Sequence, residues 1–125
     1  MNTPESTAKR WLLVFQRPPY GSALAREAVD VALAAAAFGQ QVSLLFLGNS
    51  VWQLLPNQQG DAIGHKDFDR QLGALPMYDI DQFFVAADAL TARGLAATDL
   101  VLPVTVLEPA AIAPLLASHD IVLSF

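Results

Sequence analysis

Short, unbroken apolar runs separated by helix-like stretches constrain this chain more than any other feature. Trp11-Leu12-Leu13-Val14-Phe15 stands between Lys9-Arg10 and Pro18-Pro19. The run is too short for a helix and carries no alternating polar residue, so it suits a strand covered on both faces, as in a parallel sheet. Val42 to Leu47, Phe83 to Ala86, Leu100 to Leu107 and Ile121 to Phe125 read as further strands. Pro103 lacks a ladder N–H and assigns the fourth of these to an edge or a bulge.

Helical signals lie between the strands. Ser22 is placed to N-cap a helix from Ala23 to about Phe38, and Gly39 to end it at C′. Leu24, Ala28, Val31, Ala35 and Phe38 follow three-and-four spacing and are expected to face the sheet. The opposite side begins with Arg26, Glu27 and Asp30 but continues through Leu33, Ala34 and Ala37, more apolar than a solvent-facing helix requires. His65 to Leu75 predicts a second helix, with Gly73 and Pro76 near its end. Asp88 to Arg93, closed by Gly94, predicts a third, and Pro109 to Ala117 a fourth, with Pro109 near N1 and Pro114 in a position to kink it. The order βαβαβαβαβ predicts an α/β fold: a doubly wound, mainly parallel five-stranded sheet flanked by helices, with right-handed crossovers. Residues 1–8 are polar and read as a flexible tail; residues 9–125 form one domain of ordinary size.

Composition then narrows the function classes. The sequence contains no cysteine, which excludes disulfides, thiolate metal sites and a cysteine nucleophile on this chain. Seven basic against twelve acidic residues give a net charge of −5, a poor match for direct binding to nucleic acid. Only 15% of residues are charged, against about a quarter in an ordinary soluble domain. No run approaches the roughly 18 apolar residues of a membrane span. The N-terminus does not read as a signal peptide, because Lys9-Arg10 precede too short an apolar stretch. A cytoplasmic protein whose apolar surface is covered by other subunits is the expectation.

No segment carries a reactive signature. Gln16 to Ser22 occupies the position of a phosphate loop, yet Pro18 and Pro19 have no N–H to offer and Gly21 is its single glycine. His65 has Asp61, Asp67 and Asp69 nearby, a set short of a zinc site's usual His and Cys ligands. His119-Asp120 reads as a loop pair. Tyr78-Asp79-Ile80-Asp81 brings two carboxylates together, which serve acid–base chemistry only where burial separates their pKa values. There is no Gly-x-Ser-x-Gly elbow. The expectation is a non-catalytic chain with no cofactor and no metal.

Several segments, taken in order, carry a resemblance. Arg17-Pro18-Pro19-Tyr20-Gly21 opens a helix containing Arg26-Glu27 and Asp30. Phe46-Leu47-Gly48 precedes Val51-Trp52-Gln53-Leu54-Leu55-Pro56. Tyr78-Asp79-Ile80, Leu90-Thr91-Ala92-Arg93-Gly94-Leu95 and Asp120-Ile121-Val122-Leu123-Ser124-Phe125 follow. From about Lys9 to Phe125 the chain resembles the TusC/DsrF family of DsrE-like sulfur-relay proteins. The resemblance implies a flavodoxin-like subunit of a TusBCD-type heterohexamer, with TusB-like and TusD-like siblings. Such a complex passes persulfide sulfur toward 2-thiolation of tRNA wobble uridine. In the family the persulfide cysteine lies on the TusD-like chain just after the third strand; this sequence has Ala86-Ala87 there. The candidate interface residues are Leu33, Ala37, Val51, Trp52, Leu54, Leu55, Tyr78 and Asp79. Local core is the competing role for the Trp52 cluster. The alternatives are a DsrF-like subunit of a DsrEFH-type complex in sulfur oxidation and a stand-alone small-ligand-binding flavodoxin-like domain.

Overall fold

The computed structural model describes residues 8–17, 24–55 and 68–125, leaving aside the side chains of 68 and 69. Five strands, β1 (Arg10–Phe15), β2 (Gln41–Phe46), β3 (Gln82–Ala86), β4 (Thr105–Leu107) and β5 (Ile121–Ser124), form one sheet in the order β4-β3-β2-β1-β5. Every neighbouring pair is parallel. Four α-helices accompany them: α1 (Leu24–Ala37), α2 (Phe68–Gly73), α3 (Ala87–Ala92) and α4 (Pro109–Ala117). The α/β class and the parallel five-stranded sheet are as the apolar runs predict.

From β1 to β4 the chain steps in one direction across the sheet, then returns to place β5 beside β1. Right-handed crossovers put the first three connections on one face and the return on the other. Packing follows this division. Leu13, Phe15, Leu44, Phe46, Phe83 and Val85 face α1 and α3 in the larger core, whereas Leu12, Val14 and Leu45 meet Ile112, Leu115 and Leu116 of α4. Among the described residues, the helix on the second face is α4, which has no fully buried residue.

Helix α1 buries Ala25, Ala28, Val29, Ala32 and Ala35. The expected stripe is displaced: Leu24 and Val31 are half-buried at its flanks, and Phe38 is 83% exposed. Small side chains explain the shift, since the alanine-rich side lets the helix backbone approach the sheet more closely than a Leu and Phe side would. Phe38 also lies beyond the last helical residue. Gly39, at φ +83°, ends α1 as expected. Its N–H bonds Ala36 O at 3.0 Å and that of Gln40 bonds Ala35 O at 3.1 Å, the paired bonds of a Schellman stop.

The same stop recurs twice. After α3, Gly94 N–H bonds Thr91 O and Leu95 N–H bonds Leu90 O. After the 3₁₀ turn Leu75–Tyr78, Asp79 N–H bonds Pro76 O and Ile80 N–H bonds Leu75 O. Asp79 fills the glycine position at φ +66°. Short polar residues tolerate that conformation better than most. Buried Leu75 and Ile80 make the accompanying apolar contact and fix where Tyr78 and Asp79 sit.

Other boundaries moved. The fourth strand, expected over Leu100 to Leu107, is only Thr105–Leu107, with a 3₁₀ turn at Ala97–Asp99 and Pro103 ahead of the strand. It is an edge strand, and Pro103 stays out of its ladder altogether. Pro109 stands in the first turn of α4, and Pro114 lies inside the helix without ending it. The proposed cap Ser22 and residues 65–67 of the second helix lie outside the described residues.

Candidate partner-facing surface and carboxyl edge

The segment after β2 is a 3₁₀ helix, Gly48–Leu54, and it separates the Trp52 cluster into two kinds of residue. Val51 and Leu54 have no exposed surface and belong to the larger core. They are therefore corrected from interface candidates to local core: the 3₁₀ turn packs on α2 and α3 and turns both into the larger core, where burial of each apolar side chain is favourable by about 1.5–3 kcal/mol. Trp52 and Leu55 are half-buried and keep surface for a partner. Leu33 is half-buried against the core, Ala37 is exposed, Tyr78 is 56% exposed and Asp79 is exposed. The eight candidates do not form one patch. Trp52 and Leu55 belong to the segment following the carboxyl end of β2, whereas Ala37, Tyr78 and Asp79 lie where α1 ends and β3 is about to begin.

In a parallel sheet the carboxyl edge is where ligands usually sit. Here it is tied together by hydrogen bonds from the 48–54 segment. Ser50 Oγ lies 2.8 Å from Phe15 O and 2.7 Å from Leu47 O, joining the ends of β1 and β2. Gln53, 2% exposed, donates from Nε2 to Arg17 O at 2.9 Å, while its Oε1 has no partner among the described residues. Arg93, at the end of α3, donates from Nε and Nη2 to Asn49 Oδ1 at 3.1 and 2.6 Å and from Nη1 to Ala89 O at 3.0 Å. The sequence offered no means of pairing Asn49 with Arg93, because the partners are 44 residues apart. Arg93→Ala removes this three-point clamp. The expected cost is about 1–2 kcal/mol by chemical denaturation, and Arg93→Lys should recover less than half of it, because an ammonium cannot span the fork.

The clamp frames the end of β3, where Ala86 is buried and Ala87 half-buried at the start of α3. Methyl groups there provide neither nucleophile nor proton carrier. The Ser50 hydroxyl is fully buried and already within hydrogen-bonding distance of two carbonyls, so it is not presented for attack. Asp79 and Asp81 are both exposed, and so lack the differential burial that paired-carboxylate catalysis demands. His119 Nδ1 lies 2.8 Å from Leu115 O at the end of α4, and Asp120 Oδ2 accepts the Arg10 N–H at 2.8 Å, which fastens the start of β5 to β1. Among the described residues, no group of three or more His, Asp and Glu is placed to hold a metal ion, and no helix is long and apolar enough to cross a membrane. His65, Asp61, Asp67 and the Pro18-Pro19 loop lie outside the described residues.

The fold has a counterpart among solved structures. The crystal structure of the ychN protein from E. coli superposes with a TM-score of 0.78, covering 94% of this chain and 99% of that one at 20% identity. At that identity the likeness speaks for the fold. A family model described as DsrE/DsrF-like family matches residues 9–125. That match runs from the residue before β1 through the last residue of the chain, and on it the chain belongs to the DsrE/DsrF-like family.

Proposed function

We propose that this chain is a TusC-like, non-catalytic subunit of a TusBCD-type sulfur-relay complex that serves 2-thiolation of tRNA wobble uridine. Membership of the DsrE/DsrF-like family supports a sulfur-relay role in general. The observation that carries the finer reading is the pair Ala86-Ala87 at the carboxyl end of β3, in a chain with no cysteine anywhere. A relay built on persulfide needs a thiol at each station where sulfur is held, and this chain has none to give. Its contribution is then to support and position a sibling that does.

The surface is consistent with that role. Helix α4 contains no charged residue and no buried one, Val122 and Val106 are each 41% exposed, and Trp52 retains accessible area. Aromatic anchors of this kind concentrate binding energy near interface centres.

Co-expression with TusB-like and TusD-like chains tests the reading. A stable hexamer by native mass spectrometry is expected, with persulfide sulfur mapping to the TusD-like chain. A chain that stays monomeric beside those siblings overturns it. Trp52→Asp should weaken assembly by at least tenfold, whereas Asp30→Ala on exposed α1 should change it less than twofold; equal effects remove Trp52 from the interface. The pathway assignment is separable: if the same complex exchanges sulfur only with sulfur-oxidation proteins and not with a tRNA-thiolation acceptor, the DsrF-like alternative takes its place.

A further inference from the structure

The amino-terminal edge of the sheet, opposite the carboxyl edge, holds a cavity of about 510 Å³. This volume is typical of sites that accept a ligand or several side chains. Its two sides differ in charge. Asp79 and Asp81, on the approach to β3, line one side; Arg10 and His119, from β1 and the loop before β5, line the other. The basic side is largely engaged: Arg10 Nη1 donates to Ser118 O at 2.7 Å, and His119 Nδ1 lies 2.8 Å from Leu115 O. The acidic side has no ion pair among the described residues. Ala36 and Gly39, at the carboxyl end of α1, border the same space, and the last turn of that helix has no basic residue to offset its partial negative charge.

Ser43 is 9% exposed and lines the cavity from β2, placing a hydroxyl on its floor.

The rim adds a further observation. Phe38 lies between the cavity-lining Ala36 and Gly39, and Met77-Tyr78 immediately precede cavity-lining Asp79. Phe38 is 83% exposed, Met77 82% and Tyr78 56%, the three most exposed large apolar side chains among the described residues. Phe38 directly follows α1 and the other two belong to the 75–78 turn, two elements that pack together. Aromatic and thioether side chains beside free carboxylates suit a cation on an apolar stem, through packing and cation–π attraction.

We infer that this edge is a docking site for a segment of a partner protein in which a Lys or Arg is flanked by apolar side chains. The basic group faces Asp79 and Asp81, a backbone polar group of the segment meets the Ser43 hydroxyl, and the flanking side chains cover Phe38, Met77 and Tyr78. This deepens the reading of the chain as an assembly subunit and rests on it only for the existence of a partner.

The test uses the intact chain and a defined probe, so that it does not depend on sibling assembly. Amide resonances of Phe38, Ser43, Asp81 and Gln82 should shift on titration with acetyl-Leu-Arg-Leu-Arg-Leu-amide and remain still with the Glu-for-Arg peptide. The double variant Asp79→Asn, Asp81→Asn should bind the basic peptide at least tenfold more weakly, as should Phe38→Ser, Met77→Ser; all four residues are exposed, and Asn tolerates the left-handed conformation at 79. Equal response to both peptides, no response to either, or an equal response to arginine amide alone overturns the inference. In the co-expressed complex, a photo-crosslinking amino acid at position 38 should capture a basic, apolar segment of a sibling; capture of a second copy of this chain overturns it. A complex that forms with unchanged affinity in the Asn double variant defeats this inference and leaves the subunit reading standing. Failure of any complex to form, with the basic peptide still bound, defeats the subunit reading alone.

Discussion

Gln53→Glu should destabilise the domain by about 3–5 kcal/mol at pH 7, the range for leaving a charge uncompensated in the interior. Gln53 is 2% exposed, and its Nε2 is 2.9 Å from the carbonyl oxygen of Arg17. The substitution changes hardly any volume but replaces the donor with an oxygen that, when ionised, faces another oxygen. Burial disfavours the charged form, so the introduced carboxyl has a folded pKa above its unfolded value of about 4.3. The sign follows from proton counting: between the two values the folded state binds more protons than the unfolded one, so stability falls as pH rises. The deficit against the parent chain should be small near pH 4, where the protonated acid donates to Arg17 O, and should grow through pH 5 to 7. Urea unfolding at several pH values reads this directly. Gln53→Leu is the informative companion. It loses one hydrogen bond but also removes the unpartnered Oε1, so its stability should remain within about 1 kcal/mol of the parent at every pH. A Glu variant as stable as the parent at pH 7 would show that water reaches this position.

Phe46→Ala should also be severe, about 3–5 kcal/mol, from lost transfer energy together with the cavity left behind. Phe46 has no exposed surface and stacks on Phe15 of the neighbouring strand at a centroid distance of 4.5 Å and an interplanar angle of 16°. The two are register partners in β1 and β2, and Phe125 approaches Phe15 from the β5 side at 6.3 Å. The three rings thus bridge the carboxyl ends of β2, β1 and β5. Against a total stability of about 5–15 kcal/mol, one substitution removes a large part of the margin. Thermal unfolding should show a midpoint lower by roughly 10–15 °C. Phe46→Leu, which keeps most of the volume, should cost less than half as much. Equal penalties would mean that ring stacking, rather than space filling, dominates.

The class of fold was legible because unbroken apolar runs leave few options. Trp11 to Phe15 and Phe83 to Ala86 read as strands and are strands, and Gly39 and Gly94 mark helix ends at positive φ. Strand order was not legible, since it depends on pairings such as Trp11 with Ile121 that no local pattern records. Within the candidate surface the failure has a physical cause. An apolar residue looks the same in a sequence whether it fills its own core or waits for another chain, and Val51 and Leu54 proved to do the former while Trp52 and Leu55 retain surface. Phe38 misled in the opposite sense, because its spacing fitted a helix stripe that ended one residue too soon. Asp79 was singled out for its charge; its role as a helix stop lay hidden, since an aspartate in the left-handed region has no signature that separates it from any loop acid.

The return of the chain from β4 to β5 has a consequence for biosynthesis. β1 finds one of its two neighbours only in β5: Arg10 N–H meets Asp120 Oδ2 across 110 residues, and β5 pairs with β1 over its whole length. Until α4 and β5 leave the ribosome, β1 has an open edge and Leu12, Val14 and Leu45 lie bare on one face of the sheet. Pairings so distant in sequence are slow to form, and unpaired edges beside apolar surface invite association with other chains. The interval before residues 109–124 emerge is therefore the vulnerable one for this fold, and a nascent chain stalled before residue 109 would present chaperones with a sheet lacking both α4 and β5.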